Sequence, residues 1–564
     1  MPTGTAVLSA REHSQNLSPK TRKIAMTVVA LAFIMDLLDS TIVNIAIPSI
    51  QANLGASYTA IQWLVAGYAL AFSLLLITGG RMGDVFGYRK IFMFGVAGFT
   101  VASLLSGVAW NPTVLIGARL LQGAMAALMV PQVMSMMQVM YPPEERGQIN
   151  GLFGGMAGIA ASLGPVIGGL LIKANIFGLD WRPIFLINIP VGLFALWAAP
   201  RYLPGGKSSH PLKLDLVGTG IVMLALALVV FPLIQGRELN WPAWTFYSMA
   251  ASLPVFLAFA LWQVHKQRSD GSPLVLPALF KKRSFSLGLI TNIVFEGVMI
   301  SYFLISTLTL QVGLGYSVVK AALTGIPLSI GIAATFGILG AKVIPRLGRY
   351  SVTLGTVVMG AGLVYAAWAF QHFGINTSPW EIIPGLLPIG VGMGLIMMPV
   401  FAVVLNDVDH NHAGSASGVL NAVQQLGGAI GVAAIGVVFF GQLSSYAGPS
   451  VDKAIPQIQA TLNQQHVPSA YDAAIINGFK TCYTDRLNEK DTSVTPDSCK
   501  QNASTPANPQ LQQAFESAAK TAVNANFTHA FKTGITYALT LLVVVFGLSF
   551  LLPRHIRQEA FQES

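Results

Sequence analysis

Charge is what this sequence has least of for its length: Asp, Glu, Lys and Arg make up 10% of 564 residues, where soluble globular chains carry about a quarter. That shortage excludes an ordinary soluble enzyme. Cysteine is nearly absent. Cys482 and Cys499 are the only two, too few for a disulfide scaffold. Neither a CxxC nor a nearby pair of histidines accompanies them, so no metal centre is expected. No G-x-x-x-x-G-K-[ST] loop occurs, and so no ATP-driven engine of that kind. The apolar stretches hold no clustered His, Cys or Glu at metal-ligand spacing, and no G-x-S-x-G stands in a workable setting, which argues against a membrane-embedded enzyme.

What fills the chain is apolar, 53% hydrophobic with a mean hydropathy of +0.61. Runs near the roughly 20 residues needed to cross about 30 Å of hydrocarbon number fourteen: 24–48, 61–80, 91–110, 113–140, 150–172, 183–200, 215–235, 243–264, 285–311, 319–343, 351–371, 381–404, 416–441 and 532–552. The expected fold class is an all-α polytopic membrane protein. The first run is too long for a cleaved signal, carries Asp36 and Asp39 and lacks a small-residue cleavage pattern, so it is expected to stay as a helix.

The net charge of +10 would suggest nucleic acid on a soluble chain, so the location of the cations decides its meaning. With the N-terminus inside, 21 of the 33 Lys and Arg fall in cytoplasmic segments, while the short outer loops hold four, Lys173, Arg182, Arg237 and Lys320. Positive residues gather on the cytoplasmic side of membrane proteins, so both ends are expected there and no nucleic-acid partner is needed. The reading divides the chain into a tail at 1–23, a six-helix bundle at 24–200, a linker with two inserted helices at 201–265, a cytoplasmic loop at 266–284, a second six-helix bundle at 285–552 and a tail at 553–564. Residues 442–531 form a long polar segment on the outer side, where an oxidising setting permits a Cys482–Cys499 disulfide. Within it, Pro509 to Phe531 reads as an amphipathic helix lying on the membrane face or on the loop itself.

Four features carry chemistry. After the second run stands Gly80-Arg81-Met82-Gly83-Asp84-Val85-Phe86-Gly87-Tyr88-Arg89-Lys90, where glycines permit a tight turn and an acid among bases would form ion pairs locking helices together. An echo follows the tenth run, with Gly348 at the place of Gly87 and Pro345 at that of Asp84, and such repetition between halves marks transporter folds. Asp36, Asp39 and Arg119 lie inside apolar runs, as does Glu296. Charge at the bilayer centre costs about 2.5–3.5 kcal/mol on insertion scales, so each is a functional candidate. Arg119 is expected near the cytoplasmic third of the fourth run, facing a carboxylate or carbonyls; the bland reading of these groups is a structural ion pair or a packing hydrogen bond.

The turn at Gly80–Lys90 resembles the signature G-x-L-x-D-R-x-G-R-[RK] of the major facilitator superfamily, with Gly80, Asp84, Gly87, Arg89 and Lys90 matching and Val85 and Tyr88 departing. Leu38-Asp39-Ser40-Thr41-Ile42-Val43-Asn44-Ile45-Ala46-Ile47-Pro48 and Arg119-Leu120-Leu121-Gln122-Gly123 are similar to motifs of its fourteen-helix drug:proton antiporter branch. Gly151, Gly164-Pro165 and Gly168-Gly169 resemble that branch's antiporter motif G-x8-G-x3-G-P-x2-G-G, with Ala160 in place of one glycine. The resemblance implies two six-helix bundles with two helices inserted between them. It also implies proton coupling through Asp39 and Arg119, with Asp36 assisting, gating by Gly80, Gly83, Asp84, Gly87, Arg89 and Lys90, and close bundle contact through the glycines of the fifth span. Glu296, which no motif fixes, is a proton-coupling or substrate-charge candidate because it is a charge inside an apolar run. The expected function is export of drugs or secondary metabolites in exchange for protons, with no other cofactor. The expected substrate is a small amphipathic or aromatic molecule, handled by a monomer in the cytoplasmic membrane. A specific importer or exporter of a metabolite or lipid is the rival.

Overall fold

The computed structural model describes residues 18–141, 163–206, 213–236, 239–339, 343–405, 413–464, 469–488, 496–501 and 509–553, with Phe153, Met156, Ala160 and Val408. Every regular element among them is helical. The first half comprises α1 (Pro19–Leu54), α2 (Tyr58–Phe86), α3 (Tyr88–Gly107), α4 (Pro112–Met140), α5 (Leu163–Ala174) and α6 (Pro183–Tyr202). Two further helices, α7 (Leu216–Gln235) and α8 (Ala243–Ser269), precede the second half. That half begins with α9 (Arg283–Leu308), α10 (Val318–Gly337), α11 (Arg349–Phe373), α12 (Pro379–Leu405) and α13 (Ala413–Ser445). Four short helices follow, α14 (Ala447–Asp452), α15 (Ile455–Gln464), α16 (Ser469–Asn488) and α17 (Asp497–Gln501), and α18 (Pro509–Ser549) ends the fold. Thirteen of the described helices are long and apolar enough to cross a membrane. Most of the expected fifth span, 150–172, lies outside the described residues, and α5 is its described end.

The helix ends are set by local chemistry. Ser18, Ser57, Asn111, Asp215 and Ser317 each accept a hydrogen bond from a backbone N–H one turn on, satisfying donors that the first helical turn leaves free. Gly87, between α2 and α3, sits at φ +101° and Gly348, before α11, at φ +54°, a region that excludes most side chains. The repeated turn is thus a backbone requirement in both halves. Its arginines do equivalent work. Arg89 donates to the Leu203 carbonyl at the end of α6 (3.2 Å), and Arg349 to the Phe550 carbonyl just past the end of α18 (2.8 Å).

Glycines let the helices close up. A Cβ at Gly79 would strike the Ala127 carbonyl of α4, and one at Gly355 would lie 2.9 Å from the Gly392 carbonyl of α12. Where the membrane offers no hydrophobic drive for association, such contact replaces it. The inserted helices are placed asymmetrically. α7 packs on both α2 and α13, and its Leu226, Val230 and Ile234 share one core with residues of both halves. α8 covers α7 and turns Tyr247, Leu253, Leu257 and Leu261 outward.

The segment expected as an outer loop is built from helices. α14, α15 and α16 pack Val451, Ile458, Leu462 and Tyr483 on Ala518 and Ala522 of α18, and the Cys482–Cys499 disulfide joins α16 to α17. Residues 509–531 do not form the separate amphipathic helix expected. They are the first half of α18, because no glycine or proline interrupts the chain between Pro509 and Gly534.

Candidate functional site

α1 carries the two acids. Asp39 is 1% exposed, midway along the helix, and Arg119 of α4 is 2% exposed; the two form an ion pair. A buried pair is tolerated only when its remaining donors and acceptors are also satisfied. Here they are. Asp39 Oδ1 accepts from Gln122 Nε2 (2.7 Å) and Asn188 Nδ2 (2.8 Å), and Ser103 Oγ accepts from Gln122 Nε2 (2.9 Å). Arg119 Nη1 also donates to Gln122 Oε1 (2.7 Å), and the guanidinium lies over the Tyr68 ring, 4.2 Å from its centre. Tyr68 Oη in turn donates to Asp36. α1, α2, α3, α4 and α6 therefore converge on one polar cluster inside the first half.

Arg119 is not near the end that holds the Gly80–Lys90 turn. It lies in the first third of α4, and α3 carries the chain away from that turn before α4 begins. The expectation of a cytoplasmic-third arginine is corrected accordingly. The sequence does not single out Tyr68, Asn188 and Ser103 as site residues, and Gln122 is read there only as part of the Arg119–Gly123 motif. Gln122 carried a usable signal, since a residue three on from Arg119 shares its helical face. Tyr68, Ser103 and Asn188 are brought in by tertiary packing alone.

Glu296 stands apart. It is buried in the middle of α9 and accepts from Gln424 Nε2 of α13 at 2.7 Å. Asn292, one turn earlier, is buried with Nδ2 unpartnered. Gly427 of α13 faces it, and a Cβ there would lie 3.0 Å from Glu296 Cβ.

The Gly80–Lys90 turn contains no ion pair among the described residues, contrary to expectation. Tyr88 occupies a position that is basic in the family pattern, and its hydroxyl donates to Asp84 Oδ1 at 3.0 Å. Gly83 leaves room for Gln132 of α4, which donates to the Gly79 carbonyl at 2.8 Å; Gly80 faces Pro131 at 3.6 Å, and Lys90 is exposed. Arg81, only 7% exposed, donates to carbonyls of Lys213, Ser272, Pro273 and Leu274. The turn thereby fastens the inserted pair. At the same place Asp215 accepts from Trp262 Nε1 (2.8 Å), Gly218 N (2.9 Å), Gln263 Nε2 (3.0 Å) and Leu274 N (3.2 Å). Burial alone would raise its carboxyl, but these four donors outweigh burial and hold it below the ordinary value.

Of the fifth-span motif, Gly151 lies outside the described residues. Gly164 and Gly168 face Thr41 and Ile42 of α1, with Pro165 between them. Gly169 faces the other way, where a Cβ would meet Val318, Val319 and Ala322 of α10 at 3.3–3.4 Å. Adjacent glycines so set α5 against both halves. At that end the halves also meet through Gln311 Nε2 donating to the Ile45 carbonyl (3.0 Å) and a Tyr58–Phe440 stack at 4.3 Å.

A paired-bundle helical fold with a buried ionic cluster and halves meeting across glycines is that of a secondary transporter. The chain belongs to the major facilitator superfamily, whose description it matches over residues 29–432. It is a multi-pass membrane transporter, not an enzyme. Its relatives include a protein named probable actinorhodin transporter of Streptomyces coelicolor, 38% identical over 95% of this chain and 93% of its own. The puromycin resistance protein of Streptomyces alboniger is 32% identical over 80% and 88%. The tetracenomycin C resistance and export protein of Streptomyces glaucescens is 33% identical over 73% and 75%. The fold is similar to that of an inward-facing, unoccupied bacterial homolog of the human lysosomal transporter Spinster, with a TM-score of 0.57 at 17% identity, covering 95% of this chain and 98% of that one.

Proposed function

We propose that this protein exports small toxic or antibiotic-like molecules from the cell in exchange for protons, acting as a monomer in the cytoplasmic membrane with the Gly80–Lys90 turn inside and residues 442–531 outside. The observation that carries this reading is the Asp36–Tyr68–Arg119–Asp39 cluster. With both carboxyls ionised and Arg119 charged, it holds two negative charges and one positive. One proton makes it neutral. A neutral cluster crosses the stages of alternating access without moving a buried net charge through hydrocarbon, which is costly. Arg119 keeps Gln122 Oε1 and the Tyr68 face when Asp39 is protonated, so the cation is never stripped of partners.

In this mechanism a proton from outside takes Asp39 and releases substrate, and its loss to the inside restores the charged state that binds the next molecule. Protons are the coupling ion and no other cofactor takes part. Each charge entering down 100 mV contributes about 2.3 kcal/mol, enough for a useful substrate gradient. The names of the relatives support antibiotic-like substrates. The experiment is a fluorescent and radiolabelled drug panel in everted vesicles with an imposed pH gradient. Drug accumulation that collapses with a protonophore is expected; accumulation insensitive to the gradient overturns proton coupling.

A further inference from the structure

The halves meet along two lines. Along α2 and α13 the seam is roofed by α7 and α8. At the opposite seam α5 meets α10, where a Cβ on Gly169 would lie 3.3–3.4 Å from Val318, Val319 and Ala322. There, at the end of the fold away from the Gly80–Lys90 turn, lies a cavity of about 700 Å³ between α5, α10 and the start of α12. Its size falls within the range of small-molecule sites, roughly 300–1,000 Å³. Ile172, Val319 and Ile383 give it apolar walls, and Lys173, Lys320 and Trp380 supply the rest of its character. Trp380 is 81% exposed.

The charge on this cavity is of one sign. Two ammonium groups line it and no carboxylate does among its described lining residues. Lys320 Nζ sits 3.6 Å from the centre of the Tyr316 ring and makes no ion pair among the described residues. Glu381, beside Trp380, does not line the cavity; it accepts from Ser378 N at 2.6 Å and lies close enough to Tyr316, whose ring Lys320 covers, to act on it electrostatically. Both lysines flank the contact made by Gly169, since Val318 and Val319 that meet this glycine adjoin Lys320. The cavity therefore spans the two halves at a junction that must part during transport, and an occupant would touch both at once.

We propose that this cavity binds a negatively charged amphiphile, with its anionic head between Lys173 and Lys320 and its apolar body along Trp380 and the aliphatic wall. This deepens the export reading by naming the charge class of the molecule that leaves by this seam. A compound in transit and an anionic lipid share this chemistry. Ammonium groups hold an anionic head through charge-assisted hydrogen bonds, and the exposed indole offers a flat apolar face.

The test is binding, which needs no transport and so stands or falls separately from the function above. The full chain in phosphatidylcholine nanodiscs would be titrated with pyrenebutyrate and with its trimethylammonium counterpart, reading energy transfer from tryptophan against empty discs. Wild type is expected to prefer the anion. The Lys173→Gln/Lys320→Gln pair should lose anion binding by roughly 10-fold or more and leave the cation unchanged, while Lys173→Arg/Lys320→Arg should retain it. Anion affinity unchanged in the glutamine pair, or lost equally in the arginine pair, overturns the proposal. Adding phosphatidylglycerol distinguishes the sources: displacement of the probe assigns the site to lipid, and persistent binding assigns it to the soluble amphiphile.

Discussion

Asp39 and Glu296 occupy comparable places, each buried near the middle of the first helix of its half, yet they are held in opposite ways. Asp39 meets a guanidinium and two side-chain amides. Glu296 meets one amide, beside an asparagine whose Nδ2 has no partner. Under the proposed exchange mechanism, this difference favours the first half as the place of coupling. A carboxylate that exchanges protons must have surroundings that hold in both charge states, and the first half supplies them with Gln122, Asn188 and Tyr68. Among the described residues the second half supplies only Gln424. Its acid has no cation among the described residues to compensate a negative charge, and uncompensated buried charge is expensive.

The largest expected effect breaks this pair of sites apart by neutralising each. Asp39→Asn keeps the volume and the contacts of Oδ1 but cannot take up or release a proton, so reconstituted vesicles with an internal pH dye should show no substrate-driven proton movement. Glu296→Gln keeps its partner in Gln424 and should retain that movement, with any change falling on rate. Equal proton movement by the Asp39 variant and wild type would remove Asp39 as the carrier. Loss in both variants would erase the distinction between the halves.

Next in size is stability. Arg119→Met leaves Asp36 and Asp39 in one buried cluster with no cation, and breaking a buried pair in this manner costs about 3–5 kcal/mol. Glu296→Gln removes a charge that nothing opposes and should cost less than about 1 kcal/mol or be neutral. Thermal melts followed by size-exclusion in detergent would rank them. If the Arg119 variant melts with the Glu296 variant, the cationic bond of the first half does not hold its acids.

Much of this was legible before the fold. Asp39, Arg119 and the Gly80–Lys90 turn announce themselves because charge and punctual glycines are rare in apolar runs, and the positive φ at Gly87 and Gly348 follows from the repeat. The neutral half of the cluster was not legible. Ser103, Tyr68 and Asn188 look like ordinary helix residues until packing aims them at one carboxylate. The use of Arg81 was also hidden, since its acceptors at 213 and 272–274 are distant in sequence and are backbone carbonyls, which carry no side-chain signature. The 509–531 segment misled because an amphipathic face fits a surface helix and the first half of a membrane helix packed under α14–α16 equally well.

A third acid extends the comparison and carries the smallest expected effect. Asp215 has no salt bridge among the described residues, yet it receives four donors, two on each oxygen. Fully bonded carboxylates favour ionisation even when buried, so its folded state lies below the ordinary value of 3.8. The stability this contributes is present above that ordinary value and is lost as pH falls through the lower folded one. Asp215→Asn replaces Oδ2 with an amide that points N–H at Gln263 Nε2 and Leu274 N, removing two acceptances at about 1–3 kcal/mol together. The inserted pair should loosen from the turn, because Leu274 also accepts from Arg81. Melting curves of wild type and variant should therefore differ at neutral pH and draw together only at strongly acidic pH. A difference that vanishes already near neutrality, or that is absent at all pH values, would mean that the donors do not hold Asp215 ionised and that the inserted helices are fastened by Arg81 and apolar packing alone.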